Sequence, residues 1–442
     1  MAPFLLVATL VSVPLLASMS GCSSEKDASW LRASRLRSSE SGRFVSVVPK
    51  GAVSRFVSRW ALPGQHLVVT QEELDQAQES AYVEPREGKR LALVELLDGD
   101  ERKLPGEIRR FGRVAVVSAS YGDDLHTVFG RHDLYAEDIS GPETDHPTEA
   151  QAVVPEMVVG LPTSLPSLPI DREFILQKLK EYSGEVTVTI NGKPVKISER
   201  RSADGRALAR AWLKQEYQKL GFATSEHTYG GRFASGSNFV AEKAAKDGNK
   251  QFVILSAHLD SVGNAGADDD GAGIVSSLAI AKALSNVPLK YSLRVLAFDQ
   301  EENGLVGSSA YARYLSDNRV IGDMVGNFNL EMTGYDSDGD GEFHAIDCNE
   351  NTSADLTGVM AEVLQDSGIA LEKVDACTNR SDHASFWRYD RPAIVLSENF
   401  FGGDGNPCYH KSCDRIDRVN VDYMTKITRL AGLTIAAFVS AR

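Results

Sequence analysis

Between residues 171 and 442, short apolar runs alternate with stretches of helical period. The runs are FVILSA (252–257), SLRVLAF (292–298), MVGNFNL (324–330) and AIVLS (393–397). They lack the strict in–out alternation of a half-exposed strand, so each predicted strand is covered on both faces. Stretches 171–182, 203–220, 272–285, 305–316, 354–367 and 421–439 read as helices. Apolar strands alternating with helices predict an α/β fold, a mostly parallel (mixed) central sheet with helices on both faces. VTVTINGKPVKI (186–197) alternates around Asn191-Gly192, a hairpin signal.

Upstream the pattern is mixed. LALVELL (91–97) and RVAVVSA (113–119) predict strands, and Thr70-Gln71-Glu72-Glu73 predicts the capped start of a short helix. Residues 44–146 therefore read as a smaller α+β accessory region without a catalytic constellation. Pro147, Pro155, Pro162, Pro166 and Pro169 mark 147–170 as an extended linker. At the front, the 14-residue apolar run Phe4–Ala17 is short for a membrane span and suits a signal-peptide core. Ser18-Met19-Ser20-Gly21-Cys22 resembles a bacterial lipobox, with Met19 where Leu is usual. Residues 1–22 are thus read as a signal peptide ending in a lipidated Cys22, and 23–43 as a basic tether. The expected location is the cell envelope, as a membrane-anchored lipoprotein, or outside the cell after simple cleavage.

Charge changes the picture in one respect. The formal net charge is −14, a poor match for nucleic-acid binding. Residues 25–60 carry +5, which leaves −19 for the rest. Much of that negative charge falls at the ends of the predicted strands, where open α/β sheets place their sites. FVILSA runs into His258-Leu259-Asp260-Ser261, and Asp268-Asp269-Asp270-Gly271 leads into a helix. SLRVLAF is followed by Asp299-Gln300-Glu301-Glu302, MVGNFNL by Glu331, and Tyr409-His410 stands between two cysteines. Each feature alone is weak, since an Asp-rich turn before Gly is usually a helix cap. Jointly they bring two histidines and several carboxylates to one sheet edge. Carboxylates packed that closely repel and resist desolvation. A pair of divalent cations resolves this, and mixed His and carboxylate ligation suits zinc, with manganese or cobalt as alternatives.

In an oxidising compartment the remaining cysteines pair. Four cysteines allow three pairings; Cys408 and Cys413 are near enough to close a small loop, which leaves Cys348 with Cys377.

HLDS (258–261), ADDDGAG (267–273), EENGLVGS (301–308), LEMTGY (330–335), RSDHASF (380–386) and YHKSCD (409–414) together resemble the family-28 metallopeptidases. These are dizinc aminopeptidases of the bacterial leucyl-aminopeptidase type, with a zinc-peptidase phosphorylase/hydrolase-like fold. The resemblance covers residues 171–442 and implies roles. Asp269 bridges two Zn2+ ions; Glu302 and His410 complete one site, His258 and Glu331 the other. Glu301 is the general base toward a metal-bridging water, Asp260 orients His258, and Tyr409 donates to the oxyanion. Arg380 and Asp382 line the substrate pocket. Glu331 departs from the pattern, since well-known members carry Asp there. The implied activity is release of the N-terminal residue from peptides with a free amine by a monomeric enzyme. Alternatives on the same core are a carboxypeptidase or dipeptidase, for which Arg380 is the one evident carboxylate-binding cation. A glutaminyl cyclase and a non-catalytic binding protein rank lower.

A second metal motif follows. Asp336-Ser337-Asp338-Gly339-Asp340-Gly341 matches the start of a calcium loop, with Asp347 at the twelfth position. Its bland alternative is a solvated acidic turn.

Overall fold

A computed structural model describes residues 168–230, 235–350 and 352–440, together with eight strands between Val45 and Asp138. Of those strands, β1 (Val45–Pro49), β2 (Ala61–Leu62), β3 (Gln65–Val68) and β4 (Ala81–Val83) form one sheet, order β2-β3-β1-β4. Next, β5 (Lys89–Leu96), β6 (Glu107–Phe111), β7 (Val114–Ser120) and β8 (Leu134–Asp138) form another, order β6-β7-β5-β8. All their pairings are antiparallel. Both strands expected upstream are present, as β5 and β7. The helix expected from Thr70, Cys22 with the segment around it, and residues 147–167 of the expected linker lie outside the described residues.

Leu168, the first described residue of the larger segment, packs its side chain in the core. Helix α1 (Arg172–Tyr182) is capped by Asp171, whose carboxylate accepts from the Glu173 and Phe174 N–H groups. The hairpin β9 (Val188–Ile190) to β10 (Lys193–Val195) turns at Asn191 and Gly192, both at positive φ (51° and 77°). Helix α2 (Ala203–Lys219) leads to an eight-stranded sheet. Its members are β11 (Ala223–Gly230), β12 (Ser235–Lys243), β13 (Phe252–His258), β14 (Ser292–Phe298), β15 (Met324–Leu330), β16 (Glu342–Ile346), β17 (Glu372–Val374) and β18 (Ala393–Glu398). The spatial order is β11-β12-β14-β13-β15-β18-β16-β17.

The four central strands, β14-β13-β15-β18, are mutually parallel. Antiparallel pairs lie at β11/β12, β12/β14 and β16/β18, so the sheet is mixed with a parallel centre, as expected. The helices are α3 (Gly271–Leu284), α4 (Val306–Asp317), α5 (Ser353–Ser367), α6 (Ala384–Trp387) and α7 (Val421–Val439). Along β13 successive side chains enter different cores. Val253, Leu255 and Ala257 pack with α3 and α7, while Phe252 and Ile254 pack with Tyr311 and Leu315 of α4 and Phe386 of α6. That two-sided burial is why β13 is apolar without alternation. Helix α3 is buried on nearly every side because α1 and α7 cover the face it turns away from the sheet.

The chain leaves β13 for β14 on one side and then crosses to β15 on the other. This is a topological switch point, and the crevice it opens lies at the C-terminal end of β13. His258, Asp299 and Glu331 stand at or just after the ends of β13, β14 and β15.

Candidate metal centre

Asp269 occupies the middle of the crevice and is almost wholly buried. Its two oxygens face different histidines. Oδ1 lies 3.1 Å from His258 Nε2, and Oδ2 lies 3.2 Å from His410 Nε2. Each histidine has a glutamate of its own: Glu331 Oε1 is 3.3 Å from His258 Nε2, and Glu302 Oε2 is 3.1 Å from His410 Nε2. The five residues therefore divide into two sets that share one carboxylate, the division implied by the sequence resemblance. Donor atoms around a tetrahedral ion with bonds of ~2.0–2.1 Å stand about 3.3 Å apart. The separations found here fit such an ion, and so does the donor chemistry of imidazole nitrogen with carboxylate oxygen.

The neighbouring aspartates have other duties. Asp270 caps α3 by accepting from Gly273 N (2.9 Å), and it also accepts from Met332 N and His258 N, each at 3.1 Å. It lies near His258 and Glu331, yet both its oxygens are engaged by backbone that joins β13, β15 and α3. Asp268 accepts from Gly334 N and from Asn406 Nδ2. Asp414 accepts from the backbone N–H groups of Asp268 and Asp269. Of the three consecutive aspartates, Asp269 alone has both oxygens on histidines.

Asp260 faces His258 Nδ1 at 3.5 Å and accepts from the Glu301 and Glu302 N–H groups at 3.1 and 3.2 Å. It thus holds the glutamate pair as well as the ring. Glu331 is held from behind. Its Oε2 accepts from Ser381 Oγ (2.6 Å), which accepts from Asn329 Nδ2. Asn329 Oδ1 in turn accepts from Ser256 Oγ, and Ser256 from Asn327 Nδ2. Tyr409 stacks on His410 with centroids 3.7 Å apart and meets Phe400 edge-on. Asp382 is fully buried beside the cluster. Arg380 is half-buried at the start of the same turn, its N–H donating to Thr378 Oγ1.

Protonation behaviour shows the balance of charge. Burial lowers the basicity of His258, but Glu331, Asp260 and Asp269 outweigh it and hold the ring well above its ordinary range. His410 is likewise raised to about 10, burial opposing and Glu302 and Asp269 prevailing. Burial pushes Glu302 up to about 7, with Asp269 adding and His410 opposing. Burial also lifts Glu301 well above the carboxylate range, against His258 and with Glu331, Asp382 and Glu302 adding. Asp382 rises to about 8 for the same first reason. Tyr409 is raised well above 10, so its phenol keeps its proton. The pocket is rich in anion and short of cation.

Sequence reasoning missed several supports. Asp414, Asn406 and Glu398 are far from the aspartate run in the chain. The asparagines of β15 left a signal, polar residues inside an otherwise apolar strand, that went unread. The cysteines are joined as expected, Cys348 to Cys377 and Cys408 to Cys413.

The acidic loop behaves differently from its expectation at one position. Asp336, Asp338 and Asp340 converge, each offering an oxygen within 4.8 Å of the others. Asp347 does not join them. The strand β16 carries the chain away, and Asp347 accepts from Thr357 Oγ1 and Asn349 N instead. Five extended residues span about 17 Å, whereas a calcium loop must curl back on itself.

The fold is an α/β domain with two histidines and three carboxylates gathered at the switch point of its sheet. Residues 238–435 match the family described as Peptidase family M28. Aminopeptidase YwaD of Bacillus subtilis (strain 168) is 30% identical over 264 residues, which cover 56% of this chain and 53% of YwaD. Leucine aminopeptidase 2 of Trichophyton rubrum is 29% identical over 224 residues, 46% of this chain and 44% of that protein. The chain thus spans about half the length of these curated relatives. Among solved structures, BSAP, a zinc aminopeptidase from Bacillus subtilis, aligns with TM-score 0.56 and 14% identity, covering 63% of this chain and 97% of BSAP. Legionella pneumophila LapA aminopeptidase aligns with TM-score 0.60 and 20% identity, covering 80% of this chain and 99% of LapA. At those identities the structural likeness establishes the fold.

One neighbour of the centre makes stability depend on pH. His383 is fully buried, edge-on to Trp387, with Nε2 3.0 Å from Thr378 O. Burial pushes its pKa down to about 4, the Thr378 carbonyl opposing. Above pH ~6.5 it is neutral in both folded and unfolded chains. As pH falls from there toward 4, only the unfolded chain takes up the proton, so stability falls by up to about 3 kcal/mol. The urea midpoint should therefore drop more between pH 7.5 and 4.5 in the wild type than in His383→Gln. Equal drops would exclude a buried neutral imidazole.

Proposed function

We propose that the protein is an exported zinc aminopeptidase that removes the N-terminal residue of peptides with a free amine. The observation that carries this reading is Asp269, one buried carboxylate facing two histidines that each have their own glutamate. The aminopeptidase names of the relatives support the same reading. Two divalent ions held by Asp269, His258, Glu331, Glu302 and His410 would supply Lewis acidity and a water acidified toward neutral pH.

The remaining chemistry falls to the chain's own groups. Glu301 is fixed through its backbone by Asp260 and has a carboxyl raised by burial. That is the behaviour of a general base working near neutrality, able to take a proton from water and give it to the leaving amine. Glu302, beside it, faces His410, so the two glutamates divide base and ligand roles. Tyr409 keeps its proton and can donate a hydrogen bond to the oxyanion. The surplus of buried carboxylates favours a substrate end that is a cation, the free α-amine. We extend the proposal to the rest of the chain: Cys22 carries a lipid anchor, residues 23–43 tether the enzyme to the membrane, and it works as a monomer. Asp336, Asp338 and Asp340 form a calcium site with ligands other than Asp347.

Three outcomes are expected. Glu301→Ala loses about three or more orders of magnitude in kcat on amino-acid amides while retaining bound zinc, and phenanthroline inactivates the wild type until zinc is restored. Near-normal turnover in the variant, or indifference to chelation, overturns the mechanism. Calcium calorimetry gives a binding isotherm for the wild type that Asp338→Ala loses; identical traces leave the loop a solvated turn. Cell fractionation finds the wild type in membranes and Cys22→Ala released; identical partitioning refutes the anchor.

A further inference from the structure

Arg200 is the largest charged side chain fully buried in the described fold. No carboxylate among the described residues is ion-paired with it. Its donors go to main-chain carbonyls instead. Nε donates to Leu259 O (2.9 Å), Nη1 to Ala265 O (2.6 Å) and more distantly to Tyr182 O (3.5 Å), and Nη2 to Gly266 O (2.8 Å). Its own N–H donates to Ser261 Oγ at 3.1 Å. The guanidinium lies over the Tyr182 ring, 4.5 Å from the centroid, and the Tyr182 hydroxyl donates to Leu259 O at 3.1 Å.

Apart from Tyr182 O, all of these acceptors belong to a single loop: the carbonyls of Leu259, Ala265 and Gly266 and the Ser261 hydroxyl. This loop, 259–267, joins His258 to the aspartate run. Its conformation sets where Asp269 Oδ1 stands relative to His258 Nε2. The loop is also shaped around the arginine. Gly266 has φ +52°, and a Cβ there would come within 2.5 Å of Arg200 Nη2. Arg200 sits just before Ser202, the N-cap of α2, and Tyr182 ends α1. The clamp therefore ties two helix termini to the metal loop.

We propose that Arg200, with the Tyr182 hydroxyl beneath it, is a positioning element for the metal centre. Its rigid fork spaces three carbonyls so that His258 and Asp269 meet at bonding distance before any ion arrives. The guanidinium also places a fixed positive charge under a loop whose far end is anionic. Lysine keeps the charge but is a point donor without the planar fork. The proposal rests on the dimetal reading above.

The test is zinc affinity of the metal-depleted full chain, measured by competition with a chromophoric chelator, beside far-UV circular dichroism. Outer groups that orient ligands typically matter 10–100-fold in metal affinity. Arg200→Lys should weaken zinc binding about 10-fold or more with its fold intact, and at saturating zinc its KM for an aminoacyl amide should stay within about two-fold of wild type. Tyr182→Phe, which removes one hydroxyl, should weaken zinc binding about two- to five-fold. It also keeps the proposal testable if Arg200→Lys does not fold. Folded variants with wild-type zinc affinity overturn the clamp and leave the metal centre standing. If His258→Ala also binds zinc like the wild type, the dimetal reading itself fails.

Discussion

Bringing three consecutive aspartates into the interior is costly, because each buried ionised carboxylate forfeits several kcal/mol of hydration unless something replaces it. The protein meets this cost with backbone N–H groups. Asp270 takes three of them, Asp414 supplies acceptors for two more, and Asp268 takes one along with an asparagine amide. Those bonds tie the ends of β13 and β15, the start of α3 and the C-terminal loop into one frame. Asp269 is the carboxylate left over by that arrangement, and it is left facing two imidazoles. The position of the centre is therefore a by-product of how its neighbours are satisfied.

The same logic explains Glu331. A carboxylate one methylene longer than aspartate must be steered, or it samples several rotamers. Ser381 holds Oε2 and leaves Oε1 toward His258. The steering continues into the sheet through Asn329, Ser256 and Asn327, so the ligand is braced by a polar chain within an apolar core. A buried hydrogen-bonded chain of this kind favours one arrangement of the ligand it ends on. The departure from aspartate at this position comes with its own brace.

The four central strands and helices α3, α4, α5 and α7 were legible because two-sided burial leaves an unmistakable apolar run, and because Gly and Asp punctuate the strand ends. The gathering of histidines and carboxylates was legible because most of them follow those ends in order. The outer strands β11 and β12 were not, since β11 is mostly exposed and its residues obey no core pattern. Asp347 was misread because the sequence offers its number and hides the strand between. Arg200, Asp414 and Ser381 were invisible for a different reason. Each acts on main-chain atoms or on a residue remote in sequence, and neither kind of partner leaves a mark in the local pattern.

His410 comes from the C-terminal loop rather than from a strand end. It sits at φ +57° in the loop closed by Cys408 and Cys413. That loop is zipped to the loop following β13: Asn264 Nδ2 donates to Lys411 O, and Asp414 accepts from the Asp268 and Asp269 N–H groups. The 259–267 loop is thus gripped from two directions, by Arg200 on one side and by the 408–414 loop on the other. The sheet sets the spacing of His258, Glu302 and Glu331, but the distance between the two halves of the centre is set where these loops meet. Strand packing alone cannot fix a bridge between a sheet edge and a C-terminal loop. The disulfide, the buried arginine and the main-chain bonds of Asp414 supply that rigidity where the secondary structure ends.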